Sequence, residues 1–360
     1  MKASSEFFGN SRSLHDPGSA AEGLLDNCRG ELARLLGVEC EGIYYTSGGT
    51  EGNFLAILAL LSASEIDGKH IITGMAEHSS IHSILEKLSM EKDCEITKIP
   101  FGEDGRVDLQ KLRAAIRNDT ALISIQHGNS EIGTLQPIRE ISSLCKPRGI
   151  LLHSDCVHTF GKADLTDIAR SVDSLTISGH KFYGPKGVGA IYIDPRLRWD
   201  AFLPGIPHEK GLRAGTVNVP GIAAMTVAAQ KAYENLHVHQ SHFQLLRTIL
   251  LNELKPVQDQ LVIYDFEAGH QLPSTLGLRI KGLEGQYTML ECNRHGFAIS
   301  TGSACSTGMQ SISKTMKSLG VTGKSGKEFI RISFGWDTSA EEAGALGRVL
   351  AEIVRSQASL

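Results

Sequence analysis

The stretch "SGHKFYGPKGVGAIYI", residues 178–193, sets Lys181 between two apolar, strand-like runs, "SLTISGH" (174–180) and "VGAIYID" (188–194). A lysine just past a strand end, followed by glycines that keep the backbone open, is placed to form a Schiff base. Burial or nearby cations favour that role by lowering its pKa. Taken alone, Lys181 reads more simply as a surface residue, because lysines are mostly exposed. Its neighbours decide between the two.

Upstream, further strand-like runs are "GIYYTS" (42–47), "HIITG" (70–74), "ALISIQ" (121–126) and "GILLHSD" (149–155). Helical patterns separate most of them, at 50–64, 80–90, 108–117 and 138–149. Near-continuous apolar strands alternating with helices predict an α/β domain with a large, mainly parallel sheet. Such sheets bind ligands at the carboxyl ends of their strands. The loops "TSGGTE", "AEHSS", "QHGNSEIG", "SDCVH" and "SGHK" are therefore expected to ring one crevice. Past residue 237 the texture changes to a polar helix (231–254), a strand (276–282), a helix (286–296) and a strand (329–335). This predicts a large domain over 1–236 and a smaller α+β domain over 237–360.

The bulk numbers narrow the class. With 360 residues, 41% hydrophobic and 21% charged, the composition is that of an ordinary globular chain. A net charge of −4 gives no electrostatic case for nucleic acid or an anionic membrane. No apolar run is long enough to span a bilayer, and the first residues lack the pattern of a signal peptide. Seven cysteines, at 28, 40, 94, 145, 156, 292 and 305, do not form a disulfide framework. A reducing cytoplasm is the expected compartment.

Each motif carries a functional and a structural reading. Asp155, ending "LLHSD", could hold a protonated pyridine nitrogen or cap a helix. In "YYTSGGTE", Gly49 and Thr50 stand at a helix start, where free N–H groups and the helix dipole make an anion site. His78 could stack on a planar cofactor or be a structural histidine. Arg331, in "FIRISFG", suits a carboxylate or an interdomain ion pair. His153, Cys156 and His158 do not make a shared metal site, because strand alternation sends neighbours to opposite faces. Cys305, in "ISTGSACSTGM" (299–309), has only small neighbours.

Together, "FGNSRSLHDPG", "YYTSGGTEGN", "AEHSSI", "SIQHGNSEIGTLQPI", "HSDCVHTFGK", "SGHKFYGPKGVGAIYI", "EKGLRAGTVNVPGI", "STGSACSTG" and "IRISFG" occur in an order that resembles the NifS/IscS-type cysteine desulfurases. These are fold-type I, class V aminotransferase-related enzymes that use pyridoxal 5'-phosphate. The likeness is strongest to the NifS-like branch of Gram-positive bacteria, and the "GSAC" loop matches its long-loop subgroup. The resemblance implies Lys181 as the cofactor lysine and His78 as the ring-stacking residue. It implies Asp155 on the pyridine nitrogen and a phosphate held by Gly49, Thr50, Ser178, His180 and a partner subunit's Thr216. Asn129 and Arg331 would grip the carboxylate of L-cysteine, and Cys305 would take its sulfur as a persulfide, releasing L-alanine. His158 stands where the family commonly has Gln, and a ring nitrogen can donate the same bond to the cofactor's phenolic oxygen.

The implied partners are a second copy of the chain and a sulfur acceptor, such as an iron–sulfur scaffold or quinolinate synthase. A family opening reading like "YLDNAATTP" is absent ahead of Phe8, and restoring it is expected to raise turnover. The alternatives are a selenocysteine lyase-like enzyme, disfavoured by Cys305, and a cofactor-free scaffold.

Overall fold

A computed structural model describes residues 2–205, 208–267, 269–302 and 312–357. Among these, seven strands form one sheet, numbered along the chain: β1 (Ile43–Thr46), β2 (His70–Gly74), β3 (Glu95–Ile99), β4 (Thr120–Ser124), β5 (Leu151–Asp155), β6 (Ser174–Ser178) and β7 (Gly189–Ile193). Their spatial order is β1-β7-β6-β5-β4-β2-β3. The five strands from β6 to β3 run parallel, and β7 lies antiparallel to both β6 and β1. The carboxyl ends of β1, β2, β4, β5 and β6 therefore open on one edge, where the five polar loops gather.

Burial explains the alternation of apolar runs. β1, β2, β4, β6 and β7 are buried at every residue, since helices cover both faces. The helix Gly49–Ala63 packs across the centre, against β4 to β7. Its residues Ile57 and Leu60 are fully buried. On the other face, the helices Asp16–Leu36 and Val219–Glu234 pack together through Leu25, Leu32, Ile222 and Met225. The first of these starts with Pro17 and a side-chain cap from His15, and ends on left-handed Gly37.

A second sheet, β8 (Leu261–Tyr264), β9 (Thr275–Ile280) and β10 (Phe329–Ser333), is antiparallel in the order β10-β9-β8. With the helices Leu236–Leu254 and Ala340–Gln357 it encloses a separate core of Leu246, Leu250, Leu278, Ile330 and Leu350. The expected single helix over 231–254 is two. Asn235 breaks it, because its side-chain amide donates to Lys231 O at 3.0 Å while its backbone leaves the helical region. No helix among the described residues is long and apolar enough to cross a membrane.

Candidate active site

The crevice is built from strand ends. Asp155, the last residue of β5, pairs in register with Thr176 of β6, two residues before Ser178 and five before Lys181. Its carboxylate is fixed from both sides: Asn53 Nδ2 donates to Oδ2 at 2.8 Å and Val157 N to Oδ1 at 2.9 Å. Asn53 comes from the second turn of the helix Gly49–Ala63. The same amide donates to Ser80 Oγ at 3.0 Å, and Ser80 Oγ lies 2.8 Å from His78 Nδ1. His78 is the N-cap of the helix Ser79–Lys92. One hydrogen-bonded chain therefore orders the predicted ring-stacking and nitrogen-binding residues together.

Lys181 follows β6 on a short 3₁₀ turn. It is close enough to His78, His158, His180 and Lys162 to disfavour their protonation electrostatically. In each of these groups burial is the larger cause. Lys162 is thereby lowered to about 7. His158 is held well below its ordinary value, so it offers neutral hydrogen bonding of the kind Gln would. Its Nε2 lies 3.1 Å from Thr275 Oγ1, while Nδ1 is buried with no partner among the described residues.

An adjoining cleft of about 320 Å³ is lined by Gly48, Gly49, Thr50, Ser178, His180 and Lys186, among others. Gly48 has φ 143°, a conformation that side chains rarely adopt, and this turns the chain sharply from β1 into the helix N-terminus. The first-turn N–H groups of that helix are thereby exposed to the cleft. Ser178 Oγ and His180 Nδ1 lie 3.0 Å apart on its far wall. Thr216 is exposed and does not line this cleft.

The second sheet supplies the facing wall. Arg331 of β10 lies opposite Gly277 of β9, and a Cβ there would stand 2.8 Å from Ile132 Cγ2 and 3.1 Å from Glu131 O. The missing side chain lets the small sheet abut the 129–134 turn. Arg331 Nη1 donates to Ser130 O at 3.2 Å, and its Nε is buried without a partner among the described residues. Asn129 Oδ1 accepts from Glu131 N and Ile132 N, both at 2.9 Å, and its Nδ2 donates to Thr315 Oγ1 at 3.1 Å. Asn129 is thus already engaged in holding its own turn and the helix Lys314–Ser318. Cys305 lies outside the described residues.

The set fits pyridoxal phosphate. A fixed carboxylate suits a protonated ring nitrogen, and the cleft of N–H groups, hydroxyls and Lys186 suits a phosphate. His158 Nδ1 is an unsatisfied group beside the lysine. Sequence reading missed Asn53, Ser80, Lys162 and Thr275. Of these, Asn53 had a usable signal, since it lies one helical turn from Thr50 and Gly49 on the same face.

Residues 1–346 match the family model Aminotransferase class-V. A Bacillus subtilis (strain 168) relative carrying the NifS cysteine desulfurase name is 45% identical over 346 residues, covering 95% of this chain and 87% of its own. Cysteine desulfurase IscS of Neisseria meningitidis serogroup A is 34% identical, covering 98% and 86%. A solved structure titled NifS-like protein superposes with a TM-score of 0.89 at 29% identity, over 98% of this chain and 93% of that one. The chain belongs to the class-V aminotransferase family.

Proposed function

We propose that this chain is a pyridoxal phosphate-dependent cysteine desulfurase that converts L-cysteine to L-alanine and keeps the sulfur as a persulfide on Cys305. One observation carries the reading. The doubly anchored Asp155 ends β5, Lys181 follows the neighbouring β6 by three residues, and Arg331 approaches His158 between them from the other sheet.

Pyridoxal phosphate, when bound, supplies an electron sink for the carbon next to the substrate carboxylate. Asp155 would face its ring nitrogen, Gly49, Thr50, Ser178 and His180 its phosphate, and His78 its ring face. His158 would donate to its phenolic oxygen. A partner's Thr216 would complete the phosphate site, which makes the working unit a homodimer. Arg331 holds the substrate carboxylate, and Asn129 shapes the turn beside it. Lys181 Nζ takes the α-proton and returns it. The Cys305 thiolate attacks the substrate sulfur, forming an S–S bond as the C–S bond breaks; the electron pair of that bond stays with the substrate's β-carbon, which takes a proton to become the methyl group of alanine. A thiol acceptor, an iron–sulfur scaffold or quinolinate synthase among the candidates, then removes the outer sulfur.

The test is alanine and sulfide release from L-cysteine with dithiothreitol. Lys181→Ala is expected to abolish both products. Cys305→Ser is expected to abolish them while leaving the visible absorption of the cofactor in place. Full sulfide release by Cys305→Ser would refute the persulfide reading.

A further inference from the structure

A basic recess is lined by Lys314, which follows Ser313 on the C-terminal side of the Cys305 segment. Its walls of about 350 Å³ include Lys98, Lys314, Lys317 and His82, with Ser79 and Ser83 at the helix start and Glu86 also lining it. Lys98 is on β3, the edge strand, and Lys317 is on the helix Lys314–Ser318. Both are exposed, and neither has an ion-pair partner among the described residues. By contrast, Lys87 is paired with Glu91, and Lys69 lies 3.9 Å from Asp93. Two hydrogen bonds from Phe101 N, to Ser318 Oγ at 2.9 Å and Ser318 O at 3.2 Å, tie the end of β3 to the helix and fix the spacing of the lysines.

The recess also adjoins residues that flank Cys305 in the sequence. A Cβ on Gly302 would stand 3.1 Å from Ser313 Cβ, so the described residues on either side of the Cys305 segment stand side by side. Lys314 follows Ser313 directly, and Cys305 is three residues beyond Gly302 in the sequence. Lys314 also faces inward, where its charge acts on Glu77, His78 and His82. Lys98 and Lys317, with Lys314 beside them, outnumber the Glu86 carboxylate in the lining, and in a chain of net charge −4 they give a local positive field that attracts anions over about a Debye length, ~8 Å at physiological salt.

We propose that the recess formed by Lys98, Lys314 and Lys317 docks an acidic segment of the protein that takes sulfur from Cys305. This rests on the desulfurase reading. A carboxylate side chain of the acceptor enters among the lysines and sets the acceptor thiolate beside the persulfide. That thiolate attacks the outer sulfur and forms a new S–S bond. The bond between the two persulfide sulfurs breaks, its electron pair leaves on Cys305, and the proton stays on the transferred sulfur. No oxidant or reductant is needed. Rim charges of this kind act mainly on association rate and on its salt dependence.

The experiment charges the holoenzyme with ³⁵S-cysteine and follows label transfer to two synthetic peptides, each with one cysteine, flanked by four glutamates or by four glutamines. The wild type is expected to transfer at least fivefold faster to the glutamate peptide at low salt, with the preference vanishing at high salt. Lys98→Glu/Lys317→Glu, and separately Lys317→Gln, are expected to erase or reverse the preference. Both should leave dithiothreitol-supported alanine release unchanged. A glutamate preference that survives both substitutions, or no preference in the wild type, overturns the docking site. Absence of any ³⁵S on wild-type Cys305 instead overturns the desulfurase reading, and the docking site with it.

Discussion

Asn53 Nδ2 sits 2.8 Å from Asp155 Oδ2 and joins the helix Gly49–Ala63 to the end of β5. The carboxylate keeps a second donor, Val157 N, so losing Asn53 frees one oxygen without unseating the residue. Asn53→Ala is expected to lower kcat by about 10²-fold, the usual cost of a small misplacement at a reacting centre, with KM little changed. Steady-state alanine formation checks it, and an unaltered kcat would remove Asn53 from the site.

Buried histidines are expected to weaken the fold in acid. His127 is lowered to about 4 and His153 to about 3, both by burial. The native state disfavours the proton that an unfolded imidazole accepts near pH 6.5. Their contribution is therefore complete above pH 6.5 and declines as pH falls, at about 1.4 kcal/mol per pH unit for each residue. It stops declining once the folded values are reached. Urea midpoints should fall between pH 6.5 and 4, and His127→Gln should flatten that limb even if it lowers the plateau. A profile as steep as that of the wild type would assign the acid loss to other groups.

The thiols separate in reactivity. Burial raises Cys145 and Cys156 to about 12 and Cys292 to about 11, and also raises Cys28 and Cys94. Cys40 is half-exposed, and its contact with Glu41 raises it too. Alkylation requires thiolate. Limited iodoacetamide at neutral pH is therefore expected to modify Cys305 first and Cys40 slowly, with activity lost in step with Cys305 alone. Peptide mass spectrometry gives the order, and early modification of Cys145 or Cys156 would contradict it.

What the sequence made legible follows from burial. β2, recognisable as 70–74, is buried at every residue, and its apolar run could belong nowhere else. β3 escaped notice because it is an edge strand whose Glu95 and Lys98 face solvent, leaving "EITKI" with no apolar face to read. β8 was hidden in the same way, with three of its four residues only half-buried. Within the site, loop positions were readable because strand ends must converge in a parallel sheet. The contacts that orient them were not, because Asn53 to Asp155 and His158 to Thr275 each span more than a hundred residues or join separate sheets. Asn129 shows the limit most clearly, since nothing in "HGNSEIG" reveals that its amide is committed to Thr315.

Arg331 offers the sharpest test of substrate recognition. Its backbone is bridged to Ser300 in both directions, and Nη1 is anchored on Ser130 O, so the guanidinium enters the crevice in one orientation. Burial lowers its proton affinity while Glu131 opposes that effect, and the buried Nε has no partner among the described residues. A planar fork held this way can give a carboxylate two parallel hydrogen bonds, which the single ammonium of lysine cannot. Losing one charge-assisted bond costs about 1.5–3 kcal/mol. Arg331→Lys is thus expected to raise KM for L-cysteine about ten- to a hundredfold, with a smaller effect on kcat. Cysteinamide, which lacks the carboxylate, separates this from general damage: the wild type should strongly prefer L-cysteine, and Arg331→Lys should narrow that preference. An unchanged ratio would place the substrate carboxylate on another residue.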